Sequence, residues 1–158
     1  MRHLLLPFTH GIDGPAITYA LSLAHHRKAT LVLLSLLRPH GRSGRQAVRL
    51  EDIQQSADFV VFTQQKAARI GIVLQHVELH TQHPVQSIRA FAREMDCEGI
   101  ILFVRRGEGV LLTTHEVKQL LEDLQDPLYV ANLPVSNPWL SLLGWCSGWF
   151  RKRGASHP

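Results

Sequence analysis

Apolar residues in this chain fall into short runs and spaced stripes, and their alternation predicts the elements. His3–Phe8 (HLLLPF) is a short apolar run that reads as a buried strand stopping near Pro7. From Ile12 to Arg27, the residues Ile12, Ala16, Tyr19, Ala20, Leu23 and Ala24 recur at helical spacing. Pro15 lies in the first turn, where a missing N–H costs little. Thr30–Leu37 (TLVLLSLL) reads as a second buried strand. The polar linker Arg38–Val48 carries Gly41 and Gly44 and, with its neighbour Arg49, four basic side chains, which predicts a mobile loop. Leu50–Ile70 follows as a helix with apolar positions Ile53, Ala57, Val60, Val61, Ala67 and Ala68, and Gly71 is placed to end it. Ile72–Leu79 alternates as a third strand, and Pro84–Met95 is a helix with Val85, Ile88, Phe91 and Ala92 on one stripe. Gly99–Val104 (GIILFV) is a fourth strand, Thr113–Leu124 a helix and Leu128–Leu133 a fifth strand. Between the fourth strand and that helix, Arg105–Leu112 is a glycine-containing, hairpin-like loop. This order predicts an α/β fold: a single doubly wound, five-stranded parallel sheet with helices on both faces.

Composition narrows the class without naming a reaction. The 158 residues fit one domain, and 45% hydrophobic with 19% charged residues is an ordinary globular balance. Cys97 and Cys146 are the only cysteines, too few for a disulfide framework or a four-cysteine metal site. No run of 18 apolar residues exists, and MRHLLLPF makes a poor signal peptide, so a cytoplasmic protein is expected. The net charge of +4 is uneven: residues 1–50 carry +6, residues 51–135 carry −5 and residues 136–158 carry +3. A nucleic-acid binder shows a basic stripe interleaved with aromatics, which this layout lacks. Nucleic acid is therefore not an expected partner.

Three stretches carry a resemblance. They are RHLLLPFTHGIDGPAITYALSLAHHRKATLVLLSLL, VELHTQHPVQSIRAFAREMDCEGIILFV and EVKQLLEDLQDPLYVANLP. In this order and spacing the chain resembles the universal stress protein family over roughly residues 2–133, as a divergent member. The resemblance implies an ATP site, built in that family from an aspartate after the first strand's proline and from a glycine motif after the fourth strand. Thr9 stands where the aspartate would be, and Phe103 takes the first glycine's place. Gly107 and Gly109 survive in RRGEG, while Thr114-His115 replaces a later Gly-Ser pair. Thr9, Gly107, Gly109 and Thr114 are thus expected to mark a vestigial nucleotide site. Phosphates need backbone N–H groups approached closely, and a phenylalanine blocks that approach. Arg105 and Arg106 remain able to attract an anion, and Thr113 or Thr114 to cap the helix that follows. No bound cofactor is expected, with ATP or AMP as the alternative. The family's dimers also imply a homodimer through the last strand.

Other constellations add little chemistry. His76, Glu78 and His80 share one face of a strand, but same-face neighbours lie about 7 Å apart and are expected to be solvated, without metal. His25 and His26 sit near a helix end, where cations suit the macrodipole. No catalytic residue is expected.

The tail is different. Residues 1–135 form the α/β domain and 136–158 a separate basic segment. Asn137 suits an N-cap and Pro138 the first helical position. At about 100° per residue, Trp139, Leu142, Leu143, Trp145, Cys146, Trp149 and Phe150 share one arc, with Arg151, Lys152 and Arg153 directly after. This predicts an amphipathic C-terminal helix over residues 138–153 that docks on a membrane surface or a membrane-protein partner, peripherally at its inner face. The expected function is a non-catalytic accessory or regulatory module. The alternative is a nucleotide-binding stress-response protein with an atypical pocket and, at most, slow ATP hydrolysis.

Overall fold

The structure, a computed structural model, describes residues 2–41, 47–123 and 125–135, and the backbone of 150–152. Its elements are β1 (His3–Phe8), α1 (Gly14–Arg27), β2 (Thr30–Leu37), α2 (Leu50–Ile70), β3 (Leu74–His80), α3 (Pro84–Glu94), β4 (Gly99–Arg105), β5 (Glu108–Val110), α4 (Thr114–Glu122), β6 (Leu128–Asn132) and β7 (Phe150–Lys152). Five strands run parallel in the order β3-β2-β1-β4-β6, which is the doubly wound sheet the pattern predicts. Two short strands were not predicted: β5 folds back antiparallel on β4, and β7 lies antiparallel along β6.

Helices cover both faces, so the central strands are apolar on both. Leu4, Leu6 and Phe8 of β1 join one core cluster with residues of α1 and α2. Leu5 joins the other, with residues of α3 and α4. Phe59 of α2 stacks on Phe8 with ring centroids 4.2 Å apart. That contact sets the inward arc of α2, which buries Ser56, Phe59, Val60, Thr63 and Ala67. The apolar pattern alone misplaces this arc: of its six positions only Val60 and Ala67 are buried, while Ile53 is 42% and Val61 51% exposed. Two hydroxyls take the vacated inner places because each has a local acceptor. Thr63 donates to the Phe59 carbonyl at 2.7 Å and Ser56 to Glu78 at 3.3 Å.

Helix ends follow their sequence signals. Asp13 caps α1 by accepting from the Ala16 N–H at 2.9 Å, and His25, His26 and Arg27 occupy its last turn. Gly71 closes α2 with φ +67. Cys97, half-buried between α3 and β4, packs against the second core cluster, and burial followed by the charge of Asp96 pushes its thiol up to about 11.

The tail requires a correction. Phe150, Arg151 and Lys152 are a strand and not the end of a helix, paired with Val130, Tyr129 and Leu128. The physical reason is the outer edge of β6, whose unpaired backbone groups are satisfied by a returning extended segment. β7 therefore lies on the edge that a second copy's last strand would use. Trp139, Leu142, Leu143, Trp145, Trp149 and Arg153 lie outside the described residues. Among the described residues no helix is long and apolar enough to cross a membrane.

Candidate functional site: the crevice between β1 and β4

In a doubly wound sheet, ligands bind where neighbouring strands feed crossovers in opposite directions, outside their carboxyl ends. Here that place lies between β1 and β4. The two strands pair only at Leu4↔Gly99 and Leu5↔Ile100, and Pro7 lies past the last of these pairs. Beyond it, the chain leaves β1 at Phe8 into Thr9 and His10, while β4 runs to Arg105 and turns.

The turn is a two-residue hairpin. Arg105 pairs with Glu108 across Arg106 and Gly107, whose φ values are +54 and +81. Positive φ at both central residues is the hairpin geometry that matches strand twist, and glycine supplies it without strain. Gly109 is fixed by crowding instead: a Cβ there would sit 2.6 Å from the Leu112 carbonyl oxygen. Both glycines thus have work inside the hairpin.

From the hairpin the chain crosses the crevice. The Leu111 carbonyl accepts from the Thr9 N–H at 2.9 Å and from the His10 N–H at 3.3 Å. Leu111 and Leu112 are both buried, one on each side of the sheet. The backbone donors at the end of β1 are thereby occupied by the protein's own backbone.

At the N-terminus of α4, the N–H groups of Thr113 and Glu116 are engaged by the protein as well. Thr113 and Glu116 form a capping box, with the Thr113 N–H donating to Glu116 Oε2 at 2.8 Å and the Glu116 N–H to Thr113 Oγ1 at 3.2 Å. Thr9 Oγ1 also donates to Glu116 Oε2 at 2.8 Å, and Arg38 Nη2 donates to Oε1 at 2.7 Å. The Glu116 side chain is only 2% exposed. Three groups thus converge on this buried carboxyl as donors: the Thr113 N–H, the Thr9 hydroxyl and the Arg38 guanidinium.

A second ion pair flanks the crevice. Arg105 holds Asp13 through two bonds, at 2.6 and 3.2 Å. Burial alone pushes the Asp13 carboxyl up, but the Arg105 hydrogen bond, the Ala16 N–H and the Arg105 charge together hold it below its ordinary value. Hydrogen bonding to Asp13 in turn raises Arg105. Two clefts adjoin these pairs. One of about 420 Å³ is bounded by His10, Asp13, Arg105 and Glu108. The other, about 180 Å³, is bounded by Thr9, Arg38, His40, Arg49, Asp52 and Glu116.

The candidate residues are therefore only partly assembled. Thr9 faces Glu116, and Thr114 Oγ1 accepts from the Gly109 N–H at 3.0 Å, while Gly107 sits at the hairpin tip. Phe103 is buried, meets Tyr19 edge-on at 6.0 Å and belongs to the core below the hairpin. Sequence reasoning missed Glu116, Arg38 and Asp13. The Thr113-x-x-Glu116 spacing was a readable signal for the first; the other two meet their partners only in space.

The sequence matches the universal stress protein family over residues 1–121. The chain belongs to that family. A search of the curated proteins finds no match. Among solved structures, a universal stress protein from Archaeoglobus fulgidus is similar at TM-score 0.65 and 16% identity, with 82% of this chain and 93% of that one covered. The universal stress protein from the same organism in complex with dAMP gives 0.63 and 16%, covering 82% and 97%. A universal stress protein family member from Burkholderia pseudomallei gives 0.60 and 18%, covering 84% and 96%. At these identities the likeness fixes the fold of this universal stress protein; the chemistry of the crevice has to be read from its own residues.

Proposed function

We propose that this universal stress protein is a non-catalytic regulatory module whose crevice is filled by its own chain. One observation carries the reading: the Leu111 carbonyl takes both backbone donors at the end of β1, and the Glu116 side chain takes the Thr113 N–H and the Thr9 hydroxyl beside them. A phosphate would compete for those N–H groups and would meet the buried acceptor oxygens of Glu116 beside them. Calorimetric titration of the full chain with ATP and with AMP tests this. No heat of binding is expected at millimolar nucleotide; micromolar affinity would overturn the reading.

Nucleotide binding is the second reading, and a specific observation favours it. Arg38, His40 and Arg49 border the smaller cleft, and the similar Archaeoglobus fulgidus protein is described in complex with dAMP. Nucleotide found by mass spectrometry in denatured, freshly purified protein would favour this reading. In the regulatory reading the module acts through a partner, and the tail is the docking segment. The support is its sequence, with Trp139, Trp145 and Trp149 followed by Arg151, Lys152 and Arg153. Association at the inner membrane face and a cytoplasmic setting belong to the same proposal.

A further inference from the structure

The end of the sheet opposite the crevice carries a separate surface. Residues 14–50 and 59–77 contain no Asp or Glu, and the two stretches meet where α1 and α2 end beside the starts of β2 and β3. Arg2, His25 and Lys28 border a cleft of about 350 Å³ there, together with Ile72 and Val73. Arg69, in the last turn of α2, adds a further cation. Among the described residues Arg2, Lys28 and Arg69 form no ion pair. Glu98, whose N–H bonds the His3 carbonyl, is held by Arg27 and the Tyr129 hydroxyl. Ile70 and Val73 stand exposed beside these charges, at 46% and 61%. The macrodipoles of α1 and α2 account for cations in their last turns, but not for Arg2 or for two apolar side chains left in water.

We propose that this end of the domain is a second contact with an anionic phospholipid bilayer, an inference that rests on the tail's membrane docking and deepens it. The occupant follows from the mixture of side chains. Cations draw an anionic surface close, and apolar side chains beside them gain where that surface also offers hydrocarbon, which the phosphate backbone of a nucleic acid does not. β7 agrees with this placement. It runs antiparallel to β6 and brings Lys152 opposite Leu128, the first residue of that strand. The tail therefore returns to the end of the sheet at which β1 and β2 begin, beside Arg2 and Lys28. Two weak contacts in tandem hold a surface that neither holds alone.

Co-sedimentation of the full chain with mixed phosphatidylglycerol–phosphatidylcholine vesicles tests the proposal, with thermal melting to verify that each variant is folded. Wild type should bind these vesicles and not pure phosphatidylcholine. The double variant R2E/K28E keeps the tail and should lower partitioning about tenfold or more, a difference that shrinks as salt is raised. I70S/V73S keeps every charge and should lower it several-fold, because apolar side chains lose their place in the hydrocarbon boundary. Variants that bind as wild type does overturn the proposal and leave the tail's docking standing. Wild type that ignores the anionic vesicles overturns both. A loss in R2E/K28E with I70S/V73S unchanged assigns the patch to a polyanion and overturns the bilayer.

Discussion

The two faces of the sheet are held in different ways. Under α1 and α2 the core is closed by rings, with Phe8 stacked on Phe59 and Tyr19 edge-on to Phe103. Its buried hydroxyls bond to a neighbouring carbonyl or carboxylate. Under α3 and α4 the core is aliphatic, and charges tie down its rim: Arg89 pairs with Asp123, Arg93 holds Asp126 at 2.9 Å, and Arg38 holds Glu116. Stacked and edge-on rings fill the first face, with ion pairs only at the two ends of α1, whereas ion pairs line the rim of the second. Loss of a ring should act alike at every pH and ionic strength; loss of a charge near the crevice should not.

The sharpest way to break this contrast is Phe59→Ala. Removing a fully buried ring leaves a cavity beneath β1 and should lower unfolding free energy by about 3–5 kcal/mol in urea titration, equally at low and high salt. On the charged side, Glu116→Ala strands Thr9, Arg38 and the Thr113 N–H together and should lower it by about 2–3 kcal/mol. Glu116→Gln keeps an acceptor and should lose less. If both Glu116 variants proved neutral, the crevice would not be closed by that carboxylate.

Asp13→Asn comes next, because asparagine still caps α1 but breaks the pair with Arg105. A loss of about 1–2 kcal/mol is expected at pH 7. Since the folded carboxyl lies below its ordinary value, its stabilisation is complete above about 3.8 and fades as pH falls through the folded value. Wild type and variant should therefore converge in acid, below pH 4, when melting temperatures are followed with pH. Divergence on acidification would reverse the assignment. The smallest effect belongs to truncation after Val135. It removes the three-residue β7 and should lower the melting temperature by only about 2–4 °C. The same truncation should abolish sedimentation with anionic liposomes if the tail is the docking segment.

How far the sequence reached differs along the same lines. β1, β2 and α2 have the predicted ranges because an unbroken apolar run and a long helical stripe have few alternative readings. The α2 stripe nonetheless pointed the wrong way round its axis, since Phe59 stacking on Phe8 outweighed Ile53 and Val61. β5 and β7 are three residues each, too short to show a period. In the crevice, the hairpin-like loop and a threonine cap were legible in Arg105–Thr114. The closure was not, because the Leu111 oxygen is a backbone atom that any residue would supply. Nor was the Asp13–Arg105 pair, whose members stand 92 positions apart.

Cys97 has a consequence for handling the protein. With its thiol near 11 against an ordinary value of 9.0, the reactive thiolate is about a hundredfold scarcer at neutral pH than for an unperturbed cysteine. Position 97 is accordingly a slow target for maleimides and peroxide alike. A cysteine placed on an exposed edge can be labelled or oxidised first while this one stays silent.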